Sequence, residues 1–210
     1  MNHEQRVRQY IEHGLKVFKD HKPFIQKLSD SISVLDWRQP DSEFYSLRVV
    51  FDNDRGHRVY ISGDIGEAVV YPTCDATLDG MATCFTSRKE DGTISVNWGY
   101  FTEKVKAASD LVEWDRDDFV EDFKRNCEEN DIELPEDWLD EHMEVWSADI
   151  EVDTRDGVKI SGTAQSDLED TDRDYWEWLY DCGKRVAVRV ILWLVALRLA
   201  YEALKEGGAE

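Results

Sequence analysis

Apolar positions change period several times along the chain. From His3 to Lys19, Val7, Tyr10, Ile11, Leu15, Val17 and Phe18 recur at helical spacing, and Pro23 closes the segment. This predicts an amphipathic first helix. Ser31–Trp37 is short and rich in β-branched and aromatic residues, and Gln39–Pro40–Asp41–Ser42 is a turn signal. Phe44–Phe51 and Arg58–Ser62 read as strands around a hairpin connection from Asp52 to Gly56. Glu67–Tyr71 reads as a further strand after the turn Gly63–Asp64–Ile65–Gly66. These runs predict an antiparallel sheet with one face against helix.

Helical spacing returns from Tyr100 to Ser109. Trp114–Asn126 carries Phe119, Val120 and Phe123 on one side and acids on the other, with Asp115 as N-cap and Asp117 and Asp118 in the first turn. Pro135 suits the start of a helix over Glu136–Trp146, whose apolar side holds Leu139, Met143 and Trp146. Ile150, Val152, Val158 and Ile160 alternate about Asp156–Gly157, which predicts a small hairpin, and Asp172–Asp181 reads as helix. Val186–Leu204 is the most apolar stretch, but Arg189, Arg198 and Glu202 interrupt it. A membrane span needs about 20 mostly apolar residues. A buried central helix is the reading, with a homodimer interface as the alternative cover. The expected fold class is α+β, in one domain over 1–210. Its parts are a charge-balanced helix and sheet (1–109), an acidic helical part (110–181) and an apolar C-terminal helix (182–210).

Composition narrows the function classes. The 210 residues include 8 each of Trp, Tyr and Phe, enough for a substantial core. Lys and Arg number 25 against 46 Asp and Glu, a net charge of −21. Such a surface repels phosphate, which disfavours direct binding to nucleic acid or anionic membranes. The excess is local. Asp110–Asp181 holds 27 acids and 6 bases, whereas the rest of the chain holds 19 of each. Adaptation to high salt would spread acid over every surface. Four cysteines without a dense framework, and no basic start followed by an apolar segment, predict a reduced, cytoplasmic, soluble protein.

Motifs for catalysis and cofactors are absent from the pattern. Cys74 and Cys84 are ten apart and the histidines form no His-x-x-x-His pair, so zinc spacing is missing and Cys127 and Cys182 read as buried, inert thiols. EF-hand loops beginning at Asp149 or Asp170 would need Gly at the sixth position, where Thr154 and Tyr175 stand. There is no Gly-x-Ser-x-Gly, and Ser62–Gly66 lacks the Lys of a phosphate loop. Asp64, set in a Gly-flanked turn, reads as a turn-stabilising residue, with a special role of its own as the alternative. The expectation is therefore no enzyme, no metal and no cofactor; the alternatives are a small metal- or nucleotide-dependent enzyme and a structural component.

Three blocks carry a resemblance: Tyr60–Ile61–Ser62–Gly63–Asp64–Ile65–Gly66–Glu67–Ala68–Val69, Tyr100–Phe101–Thr102–Glu103–Lys104, and Arg189–Leu194 with Ala200–Tyr201–Glu202. They resemble blocks in small accessory proteins of bacteriophages and prophages of Gram-positive bacteria. The resemblance implies an anti-defence context, in which some anti-CRISPR and anti-restriction proteins mimic DNA, and a host-cell cytoplasmic location. An acidic helix face spaces carboxylates about 5 Å apart, a rigid row of negative charge to stand in for the phosphates of a duplex, which carries one charge per about 1.7 Å. Asp115, Asp118, Asp122, Glu128 and Glu129 form one predicted row, and Glu133, Asp137, Asp140, Glu141 and Glu144 another. The predicted partner is a basic nucleic-acid-binding protein such as a host defence nuclease.

Overall fold

The computed structural model describes residues 3–54, 56–144 and 149–207. The fold is α+β, with an N-terminal helix, an antiparallel sheet of six strands and a C-terminal helix. The chain divides into two compact units. One is formed by 112–186 and the other by the flanking segments up to Leu111 and from Ala187. Each is built around its own elements.

In the flanking unit, α1 (His3–Val17) leads into β1 (Lys22–Lys27), β2 (Ile32–Arg38), β3 (Leu47–Asp52), β4 (Arg58–Gly63) and β5 (Ala68–Val70). These strands form a meander, and β8 (Val105–Ala108) completes the order β1-β2-β3-β4-β5-β8. Register explains the buried face. Leu35, Val49, Ile61 and Ala68 are cross-strand neighbours, as are Phe51, Val59 and Val70, and all seven are buried. The alternate residues Asp36, Arg48 and Tyr60 lie on the other face, as a period of two requires. Gly63 closes β4 at φ 134°, where a Cβ would collide with the Ser46 carbonyl. Asp64 beside it accepts a hydrogen bond from the Tyr45 amide at 2.8 Å, which is the turn-stabilising role its sequence context predicts.

Between β5 and β8 lie α2 (Leu78–Phe85), the hairpin β6 (Thr86–Arg88) and β7 (Ile94–Val96), and α3 (Trp98–Lys104). The helix expected over Tyr100–Ser109 therefore ends at Lys104 and continues as strand, because Ala107 and Ala108 pair with β5. Helix α2 was not among the predicted elements, although Thr77 caps it by accepting from Gly80 N and Leu78, Met81, Ala82 and Phe85 recur at i, i+3, i+4, i+7. Strand β1 carries no such signal, since as an edge strand it buries almost nothing.

The C-terminal helix α8 (Val188–Gly207) packs against α1, α2, α3 and β1. Every residue from Val190 to Leu197 is buried. Gly14 of α1 brings the two helices together, with Val195 and Leu192 over its Cα. The cover that a second copy would have supplied thus comes from the same unit. No helix among the described residues is long and apolar enough to cross a membrane.

The acidic unit begins with β9 (Val112–Trp114) and ends with β12 (Lys184–Val186), and these two strands pair antiparallel. Between them run α4 (Arg116–Glu129), α5 (Trp138–Met143), the hairpin β10 (Ile150–Asp153) and β11 (Gly157–Ile160), α6 (Gly162–Thr171) and the short α7 (Trp176–Leu179). The hairpin has the predicted alternation. The helix expected over Glu136–Trp146 spans six residues, and Trp146 lies outside the described residues. The core joins Phe119, Phe123, Trp138, Leu139, Leu168 and Leu179.

Candidate functional site

The ten carboxylates predicted to form two surface rows separate into two groups. Asp115 is half-buried and caps α4, its side chain accepting from Asp118 N at 3.0 Å. Asp118 and Asp122 are buried, at 2% and 6% exposure. Their i, i+4 spacing does put them on one face, but that face turns inward beside Phe119 and Phe123. The first row is corrected accordingly: of its five residues only Glu128 and Glu129 are exposed.

What turns Asp118 and Asp122 inward is Arg185 of β12. Its Nε lies 3.1 Å from Asp118 Oδ2 and its Nη1 2.9 Å from Asp122 Oδ2. Arg125 reaches Asp122 Oδ1 at 2.6 Å, and the Gly183 amide donates to Asp122 Oδ2 at 2.9 Å. Gly183 has φ 74° and no room for a Cβ against the Asp115 carbonyl and Phe119. Burial pushes the Asp122 pKa upward, but bonds from Arg185, Gly183 and Arg125 overcome it and hold the carboxyl below its ordinary range. Two buried carboxylates paired with the largely buried Arg185 form a lock between α4 and β12.

The second row is exposed throughout: Glu133, Asp137, Asp140, Glu141 and Glu144. Its support differs from expectation. Only Asp140 and Glu141 lie within α5; Asp137 precedes it without a capping bond, Glu133 lies in the preceding loop and Glu144 follows the helix. Glu128 and Glu129 occupy the last turn of α4, which contains no base. Carboxylates there face the negative end of the helix dipole, at a cost of about 0.3–1 kcal/mol each.

Two groupings of reactive types escape the sequence pattern because their members are distant in the chain. His142 Nδ1 is 3.2 Å from Asp149 Oδ2, and its Nε2 is 3.7 Å from Asp167 Oδ2. The Thr163 hydroxyl donates to the same Asp149 oxygen at 2.9 Å, and Trp138 Nε1 donates to Asp167 at 2.9 Å. The Thr163 bond, assisted by His142, holds the Asp149 carboxyl below the usual range. These bonds tie α5, the residue preceding β10 and α6 together. Cys127 and Cys182 are the second grouping. Cys182 is buried as expected and Cys127 only half-buried; burial pushes their thiols up to about 12 and about 11, so both are protonated at neutral pH. Among the described residues, no group of three or more His, Cys, Asp or Glu is placed to hold a metal ion.

A cleft of about 300 Å³ lies between the C-terminal half of α4, the loop after it and α5. Phe123, Trp138 and Leu139 form its floor, all buried, with the Phe123 and Trp138 rings stacked 5.7 Å apart at 10°. Half-buried Ile132 and Leu134 form the wall. Glu128 and Glu136 stand on the rim, and Lys124 is the one base among the lining residues. Alternation in Ile132–Glu133–Leu134 was the available sequence signal, apolar side chains toward the cleft and acid toward solvent. A groove of about 510 Å³ in the other unit, between α1 and the β6–β7 hairpin, carries both signs of charge, including Arg8, Glu12, Lys89 and Asp91. No protein-family model matches the chain, and neither the curated proteins nor the solved structures include one similar to it.

Proposed function

We propose that the acidic unit is a binding module that occupies the basic nucleic-acid groove of a partner protein, in the manner of an inhibitor of a bacterial defence nuclease. The observation that carries this reading is the concentration of exposed carboxylates on one folded support. Glu128, Glu129, Glu133, Asp137, Asp140, Glu141 and Glu144 are all exposed and cluster in sequence around the end of α4 and α5. Two of them, Glu128 and Glu129, oppose the α4 dipole, so their placement adds surface charge at some cost in stability. The resemblance of Tyr60–Val69 to phage accessory proteins agrees with an anti-defence setting in the host cytoplasm. The acids act by competing with phosphate for lysine and arginine side chains, and no substrate is turned over.

The test is inhibition of purified CRISPR effectors and restriction nucleases, with duplex DNA as competitor. Screening length falls from about 10 Å at 0.1 M salt to about 3 Å at 1 M. Inhibition that is competitive with DNA and lost at the higher salt is expected. Inhibition of no nuclease, or inhibition indifferent to both salt and DNA, overturns the reading.

A further inference from the structure

We infer that the cleft between α4 and α5 is an anchor site for one large apolar side chain of a protein segment in which lysines or arginines flank that side chain. The inference rests on the binding-module reading above and adds a specific contact to it. A pure phosphate mimic needs only charge. Here two acids, Glu128 and Glu136, and one base, Lys124, line an apolar concavity whose floor is built from Phe123 and Trp138, stacked and buried. A volume of about 300 Å³ is at the small end for ligand sites, suited to an aromatic or branched aliphatic group.

Charge complementarity selects the occupant. Glu128 and Glu136 stand at the rim against the single base Lys124; Glu129 and Asp137 adjoin them in the chain, Glu133 lies between, and all three are exposed. An acidic or neutral segment gains nothing from that rim, and a second copy of this acidic unit would be repelled by it. A nucleic acid is excluded on the same ground. A basic segment with an apolar anchor satisfies both parts: the anchor displaces water from Ile132 and Leu134, and the flanking cations meet the rim carboxylates. Anchors of this kind concentrate binding energy where water is excluded, while rim charges govern the rate of encounter.

The experiment titrates the full-length chain, observed by amide NMR, with a short peptide carrying Leu and Trp between lysines. A second peptide of equal charge has Ser at the Leu and Trp positions. The first should bind about tenfold or more tightly than the second, as burial of one large apolar side chain allows. Its shifts should centre on residues 123–139. Ile132→Ser should remove the difference between the peptides and retain the weaker, salt-sensitive binding of both. Should Ile132→Ser fail to fold, Cys127→Leu fills the same cleft without altering charge and should have the same effect. Equal affinity of the two peptides overturns the anchor site while leaving the charge-based reading in place. Binding of the Leu-Trp peptide at the cleft by a chain that inhibits no nuclease supports the anchor site and rejects the nuclease reading. Concentration-dependent shifts of residues 123–139 without peptide identify a second copy as the occupant and overturn the inference.

Discussion

Arg185 and Asp122 stand 63 positions apart in the chain and meet at 2.9 Å in the interior of the acidic unit. The contact joins the strand by which the chain leaves this unit to the first long helix after it enters. Removing one partner of a buried pair leaves the other charge without compensation, at about 3–5 kcal/mol. Arg185→Ala should therefore lower stability by that amount, measured as a shift in the denaturant midpoint of the full chain. An unchanged midpoint would show that water reaches Asp118 and Asp122 and compensates them.

Charge reversal should distinguish interior acids from surface ones. Lysine at Glu128, Glu129, Asp137 and Asp140 should leave the circular dichroism spectrum intact and abolish nuclease inhibition. Lysine at Asp118 and Asp122, which the sequence pattern had grouped with the surface row, should instead unfold the unit, because it sets like charge against Arg185. Retained inhibition by the first variant would remove the surface from consideration.

His21 should make the chain sensitive to mild acid. Its ring is buried against Phe18 and Trp37, at centroid distances of 5.1 and 5.7 Å. Burial lowers its pKa from 6.5, against the opposing pull of the Tyr45 and Phe44 backbone and of Asp20. The folded state then binds fewer protons than the unfolded state once pH falls below about 6.5, so stability is complete above that value and declines as pH falls toward the folded pKa. His21→Phe should flatten this slope in melting temperature between about pH 7 and pH 5. A slope that survives the substitution would assign it to another group.

Leu194→Ala should cost about 2–5 kcal/mol, since the side chain is fully buried in the most apolar turn of α8 and its loss leaves a cavity. The check is the melting temperature at several protein concentrations. A loss that diminishes at high concentration would reveal cover from a second copy.

Elements whose apolar residues repeat over many positions could be read directly. The first helix, the alternating strands β2 to β4, the Asp115 cap and the apolar last helix follow from local spacing, because helix and strand periods depend only on neighbours in the chain. Short or edge elements did not show themselves. β9 and β12 are three residues each and exist because they pair with one another, and β1 exists because β2 offers it an edge. The same limit separates the site's two parts. Composition alone localised the acid to Asp110–Asp181. Periodicity could not tell which acids face water, because the inward turn of Asp118 and Asp122 depends on where Arg185 arrives in space. The cleft, too, is a product of tertiary packing: Phe123 and Trp138 stack only when α5 folds back on α4, and that proximity is a matter of the core, not of any local pattern.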